Sequence, residues 1–290
     1  MQRAEYNTTS VWGLNVRYVD TGKAGEGPVV LLLHGLADSL ISWYCNIDFL
    51  ADAGYRVIAL DLPGFGESDK PSHLEYDPGS AADFVYDFCQ ELGIEKLSLV
   101  GNSAGGLIAG LFALEHPTVV EKLVLIDSAG LGRKVSWLLR AISVPILGDM
   151  VYRPKLNSMI GLSKRLFYQP PAILEELLPE MDRIKLLPGA SMATVRSIRS
   201  SINLRGLRRK WQILSRLKQS EVPLMVIWGA DDFIIPVSHA EAARRDLPQC
   251  DVQVLPEFGH WPQMEKPSVF NPLVSDFLNT TTAEPGQSKP

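Results

Sequence analysis

Cysteine is scarce in this chain of 290 residues. Cys45, Cys89 and Cys250 are odd in number and scattered. They match neither a disulfide framework nor a metal-ligand spacing, which reads as reduced thiols in a cytoplasmic protein. Long apolar runs are missing too. No stretch approaches the roughly 18 apolar residues that a membrane span needs, and the N-terminus, Met1 to Asn7, has no apolar signal core. There is no basic excess: the net charge is −5, which gives no reason to expect a nucleic-acid partner. No internal repeat is present. The length suits one sizeable domain, or a core domain with an insertion.

Strand and helix patterns alternate along the chain. Leu14–Thr21, Val29–His34, Arg56–Asp61, Leu97–Gly101, Lys122–Asp127, Leu224–Trp228 and Asp251–Leu255 read as strands. Ile41–Ala53, Ser80–Leu92, Ala104–Glu115, His239–Asp246 and Ser268–Leu278 read as helices. The strand runs are nearly continuous in Val, Ile and Leu, as strands buried on both faces should be. The alternation predicts an α/β fold with a mostly parallel sheet and helices on both faces. It breaks over 131–219, where helical patterns and prolines occur without a good strand. That stretch reads as a helical insertion over the carboxyl edge of the sheet, where ligands bind in such folds. The tail, 281–290, is polar with Pro and Gly and is expected to be disordered.

One serine lies among three glycines at a strand-to-helix junction: Gly101-Asn102-Ser103-Ala104-Gly105-Gly106. A sharp turn there leaves little room around the central side chain. Gly101 and Gly105 remove groups that would collide, and Ser103 projects its hydroxyl above the sheet. The following helix aims its N-terminal N–H groups at the same place, ready for an oxyanion. A serine hydroxyl needs a base, and the base needs an orienting acid. Of the five histidines, His73 lies in a polar loop, His116 at a helix end and His239 at a helix start, while His34 directly follows a strand. His260, in Phe258-Gly259-His260-Trp261-Pro262, follows the last strand, where the chain order Ser…Asp…His puts the base. The acid should end a strand between them. Asp232 is favoured, with Asp231 a local rival and Asp127, after Leu123-Val124-Leu125-Ile126, a distant one.

With these motifs the chain resembles the α/β-hydrolase superfamily over nearly its whole length. "LLLHGLADS" (31–39), "ALDLPGFGES" (59–68), "GNSAGG" (101–106) and "WGADDFIIP…FGHWPQMEKP" (228–267) fall in the family's order. The resemblance implies an eight-stranded sheet, with 1–130 and 220–280 as core and 131–219 as the lid. It implies Ser103 as nucleophile, Asp232 as acid and His260 as base, with the N–H groups of Leu36 and Ala104 as oxyanion hole. Asp61–Ser68 is a structural loop in the family. No metal and no organic cofactor is implied. Serine at 103 excludes the aspartate-based reactions of haloalkane dehalogenases and epoxide hydrolases. The expected activity is hydrolysis of a carboxylic ester through an acyl-enzyme. The alternative is carbon–carbon bond hydrolysis of vinylogous diketone acids, the meta-cleavage products. Hydrolases of that kind have a Pro-Gly-containing loop after His-Gly, whereas this chain reads Leu36-Ala37-Asp38-Ser39. Cofactor-free perhydrolysis shares the triad. A binding module without catalysis would have lost it. The expected partner is a small ester, and the chain is expected to be a monomer or homodimer.

The insertion is also unusual in charge. Residues 131–219 carry 17 Lys and Arg against 5 Asp and Glu, while the rest of the chain carries 11 against 28. A cationic lid on an anionic body is expected to be held partly by attraction. Trp137, Leu138, Leu139, Ile142, Ile146, Leu147, Met150, Met159, Ile160, Leu162, Leu166 and Phe167 offer an apolar lining. Trp261, Trp137, Arg196 and Arg199 are the expected substrate contacts, with Arg205 a further arginine for a substrate anion.

Overall fold

The computed structural model describes residues 5–22, 27–152 and 165–280. The expected tail, 281–290, and the lid positions Met159, Ile160 and Leu162 lie outside them. Eight strands form one sheet: β1 (Tyr6–Val11), β2 (Leu14–Asp20), β3 (Val29–Leu33), β4 (Arg56–Leu60), β5 (Leu97–Asn102), β6 (Val120–Ile126), β9 (Leu224–Gly229) and β10 (Asp251–Leu255). Their order is β1-β2-β4-β3-β5-β6-β9-β10. β1 and β2 form an antiparallel hairpin, β2 pairs antiparallel with β4, and all remaining pairs are parallel. The strand β1 carries no apolar signal: its residues alternate between exposed and half-buried at the sheet edge until Val11. The turn into β2 is Trp12-Gly13, both at positive φ, which matches a hairpin's right-handed twist.

The strand pleat divides the core. Leu31, Leu33, Ile58, Leu60, Leu99 and Leu125 face one apolar cluster. Val30, Leu32, Val57, Ala59, Val100 and Val124 face another. Both faces are therefore dry, which is why these strands read as unbroken aliphatic runs. Helices cover them: α1 (Ile47–Asp52), α2 (Pro78–Glu91) and α3 (Ala104–Glu115) before β6, and α9 (Ser238–Asp246), α10 (Pro262–Glu265) and α11 (Pro267–Asn279) after β9. Helix α2 starts earlier than its periodicity suggests. Asp77 caps it, accepting from Gly79 and Ser80 N–H at 2.9 and 3.3 Å, and Pro78 fits the first helical position.

The single helix expected over 41–53 is two pieces, a 3₁₀ turn at Leu40–Trp43 and then α1. The break lies at buried Asn46, whose amide donates to Gln263 O at 2.9 Å and Asn271 Oδ1 at 2.6 Å. The split sends Ile41 and Ile47 into different clusters.

Between β6 and β9 lie α4 (Trp137–Ile142), α5 (Leu147–Val151), α6 (Leu174–Lys185), α7 (Ala190–Ser201) and α8 (Leu214–Leu217). The regular structure among its described residues is helical, with one exception to the expected absence of strands. A two-stranded hairpin, β7 (Ile202–Asn203) and β8 (Gly206–Leu207), is too short to show a period. Ile41, Phe167, Leu174, Met181, Ile184, Trp261 and Met264 form an apolar cluster that ties this segment to the core. Its positive charge contributes less. Arg183–Glu67 and Arg216–Glu115 cross to the body, but both pairs are solvent-accessible and such pairs are worth ~0–1 kcal/mol.

Candidate active site

The turn after β5 is as sharp as its glycines require. Ser103 has φ 57° and ψ −117°, a region that costs a non-glycine residue on the order of 1–3 kcal/mol. Backbone bonds hold it there: Ser103 N–H donates to Ile126 O at 2.9 Å, and its carbonyl accepts from Ala129 N–H at 3.0 Å. A Cβ at Gly101 would lie 2.4 Å from Gly105 O, and one at Gly105 would lie 2.3 Å from Leu33 O. Neither position admits a side chain, because α3 leaves the sheet against β3.

The loop after β9 supplies Asp232. Its Oδ1 accepts from Ile234 N–H at 2.7 Å and Ile235 N–H at 3.1 Å. Its Oδ2 lies 2.7 Å from His260 Nδ1, with both side chains buried. That contact fixes Nε2 as the nitrogen free to work on a substrate or on Ser103. Asp231 does none of this: it faces solvent and accepts from Glu257 N–H at 3.2 Å. Asn102 Nδ2 donates to His260 O at 3.1 Å and so ties the serine turn to the histidine loop.

Sequence reasoning missed Glu265. Its Oε2 accepts from Gly259 N–H at 2.8 Å and its Oε1 from Gln169 N–H at 2.6 Å. Burial pushes its carboxyl above the usual range. It pins the histidine loop to the segment between β6 and β9. His260 N–H bonds Leu166 O at 2.7 Å at the same seam. A Cβ at Gly259 would lie 2.5 Å from Leu166 O, so the glycine is there for close approach. The signal was the Glu265 of "GHWPQME", whose spacing from Gly259 puts it one short helix away.

His34, His116 and His239 have structural surroundings. His34 Nδ1–H donates to Gly35 O at 2.8 Å while Nε2 accepts from Leu62 N–H at 3.0 Å. His116 stacks on Tyr86 at 3.8 Å. His239 is buried beside Trp228, and burial depresses it to about 4, so its ring is neutral. Asp61 organises its loop, accepting from Leu40 N–H and Glu67 N–H and pairing with Arg17.

Ser103, His260, Leu36, Ala104 and Trp261 line one cavity of about 210 Å³. Leu138, Leu139, Ile142 and Leu166 reach it from the segment between β6 and β9. The expected lid contacts need correction. Trp137 is 61% exposed and lies off the cavity. Arg196 turns outward and donates to Ser72 O. Arg199 pairs with Asp149 at 3.0 Å. Arg205 lies on a separate cleft with Lys134 and Arg140. Ile146, Leu147 and Met150 are exposed as well.

The cation that does reach the cavity is Lys185, at the end of α6. Burial lowers its ammonium to about 8, against the pull of Asp182 and Asp38. Asp38, fully enclosed in the loop after β3, is pushed up to about 6 by its own burial, while hydrogen bonds from Ser39 and Ser42 and the charge of Lys185 pull it down. Helical periodicity gave Lys185 no distinction from the outward-facing arginines.

Asp127, Asp232 and His260 offer three donor atoms within 4.8 Å of one another. Both Asp232 oxygens already receive N–H groups, so the cluster is organised around protons rather than around a cation.

A family description of the alpha/beta hydrolase fold matches residues 28–145 and 181–267. The chain belongs to the alpha/beta hydrolase fold family. It is a hydrolase, and its eight-stranded sheet is that family's. It is 31% identical over 288 residues to a 2-hydroxy-6-oxononadienedioate/2-hydroxy-6-oxononatrienedioate hydrolase of Comamonas testosteroni, covering 95% of this chain and 96% of the relative. A meta-cleavage product hydrolase from Pseudomonas fluorescens IP01 superposes with a TM-score of 0.80 at 26% identity, covering 96% and 99% of the two chains. A bacterial membrane phospholipase A superposes with a TM-score of 0.78 at 29% identity, covering 96% and 86%. Among the described residues, no helix is long and apolar enough to cross a membrane.

Proposed function

We propose that this hydrolase cleaves a carbon–carbon bond in vinylogous diketone acids, using Ser103, His260 and Asp232. The observation that carries the reading is the cavity. Ser103 and His260 open onto a mostly apolar chamber in which Lys185 is the one lysine or arginine among the described lining residues. Such a chamber suits an apolar acyl group at one end and a carboxylate at the other. The full-length likeness to ring-fission product hydrolases supports the same chemistry. This moves the reading from ester hydrolysis to the carbon–carbon alternative.

The chemistry follows from the geometry. His260 Nε2 takes the Ser103 proton as Oγ adds to the ketone carbonyl. Asp232 holds the Nδ1–H tautomer and stabilises the imidazolium. The N–H groups of Leu36 and Ala104 receive the oxyanion, since the first turn of α3 has no intrahelical acceptors for its N–H groups. The carbon–carbon bond then breaks. Beforehand the 2-hydroxydienoate moves its hydroxyl proton to C5, so that the C5–C6 pair passes into a conjugated keto acid as a dienolate, whose oxygen takes the proton from His260. Water, activated by His260, releases the carboxylic acid from Ser103. The helices between β6 and β9 act as a lid over the chamber, which Leu138, Leu139, Ile142 and Ile198 line.

Ester hydrolysis stays as the second reading. The loop Leu36-Ala37-Asp38-Ser39 and the likeness to a phospholipase A favour it. The test sets 2-hydroxy-6-oxo-6-phenylhexa-2,4-dienoate beside p-nitrophenyl esters of increasing acyl length. The proposal expects kcat/KM for the dienoate to exceed the best ester by at least about tenfold. Ester turnover without dienoate turnover overturns it.

A further inference from the structure

Asp127 ends β6 directly behind the triad acid. It is fully buried and sits at φ 44°, in the left-handed region that few non-glycine residues adopt, aspartate more often than most. Its N–H donates to Ile227 O at 3.0 Å, and its Oδ1 accepts from Gly229 N–H at 2.9 Å. Counted as a carboxylate, its Oδ2 is buried with no donor at all. Its neighbour is the Asp232 carboxyl: an oxygen of each and a ring nitrogen of His260 all lie within 4.8 Å of one another.

Two buried carboxylates in contact repel, and each leaves the other's lone pairs unmet. One proton between them removes both problems. The donors decide where it sits. Asp232 receives two backbone N–H groups and the His260 Nδ1–H, whereas Asp127 receives one N–H. Negative charge is therefore better held on Asp232, and the proton belongs on Asp127. Burial, the Asp232 charge and the Glu265 charge all push Asp127 the same way. His239, on α9 and within electrostatic reach of Asp232, is neutral and adds no charge there.

We propose that Asp127 and Asp232 form a two-carboxyl unit with one proton, held on Asp127 Oδ2 and donated to Asp232, and that Asp127 is a positioning residue acting on His260 through Asp232. A carboxylate that accepts this extra O–H is a weaker partner for an imidazolium than one that does not. Asp127 thus weakens the hold of Asp232 on the imidazolium. The same O–H orients the Asp232 carboxylate so that Oδ2 faces the imidazole.

The proposal rests on the triad reading, and the two are tested separately. Protein carrying ¹³Cγ-labelled aspartate is expected to show, at pH 7, one resonance in the protonated carboxyl range that disappears in Asp127→Asn. Its absence from the native chain overturns the proposal whatever the activity. The second readout is the rate at which an aryl phosphonate labels Ser103, followed against pH. Asp127→Ala is expected to move the acid limb upward by about half to one pH unit, the scale on which one charged hydrogen bond acts. Asp127→Asn, whose amide N–H replaces the O–H, is expected to return the limb to within about 0.2 unit. A purely structural role lowers labelling at every pH and leaves the limb in place, which overturns the proposal. If Asp127→Ala does not fold, the NMR comparison decides. Failure of the native chain to label at all sinks the triad reading, and the NMR comparison then decides this one alone.

Discussion

Replacing Lys185 by Met separates what this cavity cation is proposed to do for substrate from what it costs the fold. The methionine keeps the length and apolar stem of the side chain and removes its charge. In the folded chain the ammonium titrates near 8 instead of the 10.5 of an ordinary lysine, chiefly because it is buried. That gap corresponds to about 3 kcal/mol that the charged form costs the fold at neutral pH. Asp38 loses a favourable charge in the variant and takes back part of the gain. A net stabilisation of about 1–3 kcal/mol at pH 7 is expected, or roughly 2–10 °C in Tm for a chain of this size. The pH dependence gives a sharper check. Between pH 8 and 10.5 the unfolded chain binds the Lys185 proton and the folded chain does not, so native stability from this group rises with pH across that window. The variant lacks that rise. Function should move the other way. KM for a carboxylate-bearing dienoate should increase by about tenfold or more, and for a neutral ester by less than about twofold. Urea unfolding of both proteins at pH 7 and pH 10, beside kinetics on the two substrates, reads every arm. A Lys185→Met variant that is less stable at pH 7, keeps the native pH slope and binds the dienoate unchanged refutes the reasoning.

Ser103→Ala should abolish phosphonate labelling and lower kcat by several orders of magnitude while leaving the unfolding midpoint nearly unchanged; a folded variant with native activity excludes Ser103 as nucleophile. Asp232→Asn should lower kcat by roughly 10³–10⁴ because an amide cannot fix the His260 tautomer, whereas solvent-facing Asp231→Asn should stay within about twofold. Equal losses in the two would put the acid elsewhere. Glu265→Ala should leave Gly259 N–H and Gln169 N–H without their acceptor and destabilise the chain by about 1–3 kcal/mol, with kcat falling more than KM rises. A thermal melt and steady-state kinetics at equal folded fraction check it, and an unchanged melt removes Glu265 from the support of the histidine loop.

The parts of this molecule that were legible in its sequence are those where physics acts over a few neighbouring residues. Strands such as Val29–Leu33 and Leu97–Asn102 are buried on both faces, so their aliphatic runs are unbroken and easily read. Gly101 and Gly105 flank Ser103 because backbone crowds both positions, and that crowding is local. Strand β1 was illegible for the opposite reason. At the sheet edge it needs only alternate half-buried positions, which Thr and Asn fill as well as any residue. The hairpin at 202–207 is shorter than any period.

Charge was the property read least well, and the reason is geometric. Seventeen basic residues between 131 and 219 suggested an arginine for a substrate anion, yet helix rotation decides which of them faces inward. Arg196 and Arg199 lie on α7 with their guanidinium groups occupied by Ser72 O and Asp149. Lys185 lies on α6, four residues beyond Met181 and next to Ile184, on the helix face that meets the core. A charge on that face is placed against its own solvation preference, and the pull of Asp182 and Asp38 offsets only part of that cost. A group that weakens the fold and lines the Ser103 cavity is understandable if a further partner arrives with the substrate. The same logic applies to Asp127. An aspartate at the end of an aliphatic strand looks like an ordinary strand terminator until its neighbour across the sheet is known. Its partner, Asp232, is 105 residues away in sequence, brought alongside by the parallel pairing of β6 with β9. The chemistry of this site therefore depends most on pairs that the topology creates, and those are the pairs that no single segment can announce.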